Sequence, residues 1–164
     1  MPGPPLTPRA GIGFDLHRFG GPGRALVLGG VEVPGHPGLE GHSDADVVAH
    51  ALCDAVLGAA GLGDLGAHFP EDDPRWEGAE GLDLLGRVAA LATQAGWSLG
   101  NADCTVVLER PRLFPYLAEM ARRLSAAAGG PVSVKATRPE GLGPLGQGAG
   151  VACLAVALLS PAPR

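Results

Sequence analysis

Aromatic side chains are scarce: four Phe, two Trp and one Tyr in 164 residues. A core built on large rings is excluded, so it has to be small and aliphatic, made of Ala, Leu and Val. Lysine is almost missing too, with Lys135 alone against eleven arginines, and the net charge is −5. Without a basic excess the chain lacks the electrostatic footprint of a nucleic-acid binder. Cys53, Cys104 and Cys153 are odd in number and widely spaced. They exclude a disulfide framework and read as small buried thiols in a reducing compartment. The longest apolar run, Val151 to Leu159, is too short to span a bilayer. MPGPPLTPRA at the start has neither an apolar signal core nor an amphipathic Arg/Ser stretch. The expectation is a cytoplasmic protein that crosses no membrane.

What the chain has in excess is 27 Gly and 16 Pro, about a quarter of its residues, a level at which disorder must be considered. Leu, Ile, Val and Phe supply another quarter, enough to build a core. No Gly-X-Y period runs through it, which excludes collagen. The length fits one domain and leaves no room for a fused second enzyme. Residues 1–9 read as a disordered Pro-rich tail and 10–160 as the domain.

Residues 11–19 alternate Ile12, Phe14, Leu16 with Gly13, Asp15, His17, a half-buried strand with its polar face outward. Residues 25–33 are short strand segments broken at Gly29-Gly30, followed by a loop from Pro34 to His42. Ser43 and Asp44 are suited to cap a helix that runs to Leu57. Its stripe Val48, Leu52, Val56 is apolar, and its stripe Asp46, His50, Asp54 is polar. A long acidic, Gly-rich loop over 61–74 leads to a helix over 79–95 and a strand over 97–108. A third helix is expected around 113–127, a strand over 132–136, a Gly-rich loop over 139–150, and a last strand over 150–159, apolar enough for burial on both faces. The order β-β-α-α-β-α-β-β predicts an α+β class: one two-layer domain, a mixed sheet with helices on one face. The other face then needs a cover, which points to another subunit.

Asp15 and His17 share one strand face, and a carboxylate and an imidazole are both good zinc ligands. His50, on the polar helix stripe, can complete a three-ligand site with an open position, and Asp54, one turn on, is a candidate partner for its far nitrogen. Each element also has a plain reading as a solvated face. The loop 61–74, with Asp64, Glu71, Asp72 and Asp73, can bind hydroxyls or act as a flap. In KATRPEGLG, Thr137 and Arg138 can bind phosphate, and Glu140 can reach a cation sitting on phosphates. Gly141, Gly143 and Gly146 match the dinucleotide pattern, but a strand follows where a helix is needed, so that reading is rejected.

Together GFDLHRF, LVLGGVEVP, HSDADVVAHALCDAVLGAAGLGDLGAHFPEDDP, VVLERPRL, VKAT and the E-x-L-G loop before GVAC resemble the 2-C-methyl-D-erythritol 2,4-cyclodiphosphate synthase family. The resemblance spans roughly 10–160, its most specific block being His42 to Pro74. It implies a homotrimer with active sites at subunit interfaces. The implied reaction is intramolecular: the 2-phosphate of 4-diphosphocytidyl-2-C-methyl-D-erythritol 2-phosphate attacks the β-phosphorus, CMP leaves and the cyclic diphosphate forms. By the same resemblance Asp15, His17 and His50 hold zinc or a similar metal, and Glu140 holds magnesium or manganese through the substrate phosphates. His42 would stabilise transition-state charge, and Ser43 and Leu16 would contact substrate near the metal. Asp64, Leu65 and Gly66 would meet the erythritol hydroxyls, and Phe69, Pro70, Glu71, Asp72 and Asp73 would form the flap. Leu108, Glu109, Arg110, Pro111, Arg112, Leu113 and Phe114 would form the cytidine pocket. Thr137, Arg138 and Pro139 would bind the diphosphate. Arg138 departs from a usual threonine. Ile12, Pro144, Gln147 and Leu154 depart from residues that line the threefold channel in many members, leaving that channel apolar. The alternatives are a different metal-dependent phosphotransferase or hydrolase, or a non-catalytic trimeric metal- and nucleotide-binding module on the same scaffold.

Overall fold

The computed structural model describes residues 7–20 and 23–162. The tail expected at 1–9 lies mostly outside the described residues, and Arg9 already belongs to the first strand. The strands are β1 (Arg9–Arg18), β2 (Ala25–Leu28), β3 (Val31–Pro37), β4 (Trp97–Val107), β5 (Val132–Thr137) and β6 (Gly150–Pro161). The helices are α1 (Val47–Ala60), α2 (Leu65–His68), α3 (Gly81–Gln94), α4 (Leu117–Ala128) and α5 (Gly143–Gly146), with a 3-10 turn at Pro74–Trp76. A four-stranded mixed sheet runs in the order β1-β6-β4-β5, with only β4 and β5 parallel. β2 and β3 form a separate hairpin. The two-layer α+β expectation is borne out, with α1 against β1 and β6, α4 against β5, and α3 against both helices.

The scarcity of aromatics shows directly in the packing. Gly11, Gly13 and the stripe Ala51, Ala55, Ala59 let β1 and α1 touch backbone to backbone. A Cβ on Gly13 would lie 1.8 Å from the Ala51 carbonyl oxygen, and one on Gly11 2.1 Å from that of Ala55. The same face of β1 continues to Asp15 and His17, which this contact brings beside His50. The expected facing of β1 is therefore reversed. Its polar and glycine side packs toward the helix, while Ile12 and Phe14 remain 69% and 55% exposed on the open sheet face.

β6 is corrected in the same way. Val151, Cys153, Ala155, Ala157 and Leu159 are buried against the helices, and Leu154, Val156 and Leu158 are exposed on the outer face. The register places Phe14 opposite Leu154 and Ile12 opposite Val156, making one continuous apolar surface.

Other boundaries shift for local reasons. β3 continues to Pro37, where a loop is expected. Asp46, not Ser43 or Asp44, caps α1, because those two side chains tie up the turn before it by accepting from Ala45 N and Asp46 N. α1 also runs past Leu57 to Ala60, where Gly61 in the left-handed region ends it. The helix expected around 113 starts at Leu117, since Pro115 keeps its predecessor out of the α region. The 61–74 loop contains α2, and α5 is one turn leading straight into β6, which disposes of the dinucleotide pattern. All three cysteines are buried and free. No helix among the described residues is long and apolar enough to cross a membrane.

Candidate active site

The segment between β3 and α1 is built to present side chains at the β1–α1 contact. Arg24 donates to the carbonyls of Gly41 and Ser43, fixing the backbone on either side of His42. Asp46 is wholly buried and accepts from Val48 N and Ala49 N of α1 and from Gly29 N and Gly30 N of the hairpin, at 2.7–3.1 Å. Gly29 and Gly30 form the hairpin turn with φ of 56° and 73°, the conformation a two-residue turn needs. One carboxylate thus fixes the start of α1 relative to the hairpin.

One helical turn on from Asp46, His50 Nδ1 lies 3.1 Å from Asp15 Oδ2, and His17 Nε2 lies 3.2 Å from the same oxygen. One donor atom from each of the three residues falls within 4.8 Å of the others. His17 Nδ1 faces the Glu40 carbonyl at 2.5 Å. A carbonyl only accepts, so Nδ1 carries the proton and Nε2 is the nitrogen offered to the site. His50 Nε2 faces Ser43 Oγ at 3.2 Å and Asp44 Oδ1 at 3.8 Å, so Nδ1 is offered. Burial opposes ionisation of Asp15, but hydrogen bonds and charge from His17 and His50 outweigh it and hold the carboxyl well below its ordinary range. The hydrogen bond to Asp15 raises the His17 pKa. A carboxylate oxygen and two imidazoles, each with its far nitrogen held, is a donor set that fits a zinc-like ion.

These groups line a cavity of about 210 Å³ with His42, Ser43, Asp54, Leu65, Gly66, Phe69 and Glu71. Several expected roles change. Asp54 is not the partner of His50: its Oδ1 accepts from Leu65 N at 2.7 Å. The Leu16 side chain, 52% exposed, points to the open sheet face, away from the cavity. Asp64 Oδ1 caps α2 at Ala67 N. Asp73 is engaged by Arg75. Pro70 and Asp72 do not line the cavity, whereas Trp76 and Leu84 do. Phe69 meets Trp76 edge to face at 4.8 Å, so the segment expected to form a flap is anchored to a ring that the sequence reading missed. Asp44 and Arg24 are missed as well. Asp44 lies inside HSDADVVAH, three positions before Val47, and was available as a further acidic neighbour of His50. No local signal marks Arg24.

A second cavity, of about 250 Å³, opens where β4 and β5 end side by side. Leu108, Glu109, Pro111, Arg112, Leu113, Phe114, Thr137 and Arg138 line it. Arg110 faces a neighbouring hollow with His36. The expected nucleotide residues are thus brought together, but not with the Asp15 group. β1 and β5 are opposite edges of the sheet, about 14 Å apart at usual strand spacing.

The YgbB family's sequence profile matches residues 8–160. The 2-C-methyl-D-erythritol 2,4-cyclodiphosphate synthase of Symbiobacterium thermophilum is 55% identical over 92% of this chain and 97% of its own length. The bifunctional enzyme IspD/IspF of Anaeromyxobacter dehalogenans is 57% identical over 91% of this chain, which spans 39% of that longer protein. The structure of Plasmodium falciparum IspF in complex with CDP superposes with a TM-score of 0.81 at 27% identity, covering 95% of this chain and 97% of that one. With its motifs, its fold and its relatives in agreement along nearly all its length, the chain belongs to the YgbB family, that of the 2-C-methyl-D-erythritol 2,4-cyclodiphosphate synthases.

Proposed function

We propose that the chain converts 4-diphosphocytidyl-2-C-methyl-D-erythritol 2-phosphate to 2-C-methyl-D-erythritol 2,4-cyclodiphosphate and CMP. The observation that carries this reading is the convergence of Asp15, His17 and His50 on one cavity in a chain with such relatives. Asp15 Oδ2, His17 Nε2 and His50 Nδ1 would hold a zinc ion. Bound there, the ion supplies a Lewis acid that aligns and neutralises a phosphate. The residues themselves position and shield. His42 and Ser43 approach the phosphates from the cavity wall, and His42 offers a donor to charge developing at phosphorus. Gly66 and the 69–71 segment close over the sugar and exclude water, which favours cyclisation over hydrolysis. The second cavity takes the cytidine, with Thr137 beside the diphosphate and Glu140 toward its magnesium or manganese.

The two cavities sit at opposite sheet edges, so a complete site forms when the β1 edge of one copy meets the β5 edge of another. The open face carrying Ile12, Phe14, Leu154 and Val156 is the surface that a homotrimer would bury. The resulting channel is apolar, consistent with Ile12 and Leu154 on its wall. The three buried free thiols suit a reducing, cytoplasmic setting.

Phosphorus NMR of the chain incubated with the CDP-linked substrate, zinc and magnesium tests the activity. The expected result is a cyclic diphosphate and CMP. CMP with the uncyclised 2,4-bisphosphate, in which water has taken the place of the 2-phosphate at the β-phosphorus, would instead make it a hydrolase.

A further inference from the structure

The loop after β5 holds a conformation that its sequence does not favour. Glu140 is not glycine, yet its φ is 54°, and Gly141 follows at 76°. A left-handed non-glycine residue is disfavoured by the clash of its Cβ with the backbone and persists only where its surroundings hold it. Two local bonds shape the turn, Leu142 N to the Pro139 carbonyl and Gly146 N to the Leu142 carbonyl.

The remaining restraint crosses from the neighbouring loop. Glu109 leaves β4 beside Thr137, since Val107 and Thr137 are register partners and Leu108 N donates to the Thr137 carbonyl. Glu109 Oε1 accepts from Arg138 Nε at 3.1 Å and Nη2 at 2.5 Å, and Oε2 accepts from Gly141 N at 3.2 Å. One carboxylate therefore grips the residues two before and one after Glu140. It also belongs to the wall shared by the second cavity and the hollow beside it, with Pro111, Arg112 and Arg138.

We propose that Glu109 and Arg138 act as positioning residues, a clamp that joins the 108–114 and 138–141 loops and fixes the turn from which Glu140 is presented. This rests on the function proposed above and gives Arg138 a role other than phosphate binding. Its guanidinium is spent on Glu109, and the carboxylate, not the arginine alone, sets the loop. Preorganising the turn lowers the ordering cost of binding a diphosphate.

The test has two arms on the full-length protein. Amide exchange by NMR reads the clamp without any turnover: Glu109→Ala should speed exchange at Gly141 and Leu142 about tenfold or more, leaving α1 amides unchanged. CDP titration with magnesium should then show about tenfold weaker binding. Steady-state kinetics should show KM raised by a similar factor, kcat within about twofold and zinc content unaltered. Glu109→Gln, which keeps an acceptor for Gly141 N, should recover much of the exchange protection. Arg138→Ala combined with Glu109→Ala should be scarcely worse than either alone, as for two halves of one device. Unchanged exchange and CDP affinity in folded Glu109→Ala would overturn the clamp, as would additive losses in the double variant. Exchange protection that Glu109→Ala removes, together with no cyclase activity in the wild type, would leave the clamp standing and remove the function instead.

Discussion

At the scale of single residues, the site is decided by what holds each imidazole. His50 Nε2 is directed by Ser43 Oγ at 3.2 Å, not by Asp54. Ser43→Ala should therefore weaken zinc binding about tenfold, the usual worth of a ligand's supporting partner. Asp54→Ala should leave zinc affinity within about twofold and instead loosen α2, whose Leu65 N it holds. Chelator competition separates the two, and equal losses in both variants would show that Ser43 alone does not direct the ring. Gly13 carries the complementary demand, for space. Any Cβ there collides with the Ala51 carbonyl oxygen at 1.8 Å, and backbone cannot swing aside as a side chain can. Gly13→Ala should cost about 3 kcal/mol or more, at the upper end for overpacking. It should also part Asp15 from His50, seen together as a lower urea midpoint and substoichiometric zinc.

At the scale of elements, what the sequence shows is period and composition; what it hides is direction. The alternation of residues 11–19 is legible, but which side faces the helix depends on α1 offering alanines to the glycines, a tertiary fact. The heavily apolar β6 suggests burial on both faces, and only the sheet order reveals that one face is open. HSDADVVAH announces a site. That Asp46 within it is a wholly buried cap gripping the β2–β3 turn, while Ser43 and Asp44 serve His50, depends on the hairpin lying against α1. Helix α4 offers an electrostatic test of the same distinction between pattern and partner. Glu119, in its first turn, receives Arg122 and Arg123 at 2.7 Å and 2.8 Å, and these pairs hold its carboxyl at about 2, against an ordinary 4.5. The folded value lies below the unfolded one. The contribution to stability is thus fully present above about 4.5 and lost as pH falls through about 2. The group is exposed, so salt should screen it. Carbon-13 NMR should place the Glu119 midpoint near 2 at low ionic strength and higher in about 1 M salt. A low-salt midpoint at the ordinary value would show that the arginines do not pair with it in solution.

At the scale of the whole molecule, the governing fact is that the Asp15, His17 and His50 group and the cavity beside Thr137 lie at opposite edges of one sheet, with an exposed apolar face between them. If copies complete one another, two kinds of inactive chain should rescue each other. His50→Ala removes the metal half and leaves the β5 edge intact. Leu113→Arg blocks the nucleotide half and leaves the Asp15 group intact. Each variant alone should be inactive as a homotrimer. Unfolded together and refolded at equal amounts, they should recover about a quarter of wild-type activity, the chance that an interface pairs one intact half with the other in a cyclic assembly. Mixing without refolding should recover little if assembled copies exchange slowly. Replacing Phe14 by Glu, on the open face, should prevent assembly and abolish the rescue while zinc still binds the isolated chain, since Phe14 points away from Asp15 and His17. No recovery from well-assembled mixed trimers would mean that each chain contains its own complete site, and the open apolar face would then need another occupant.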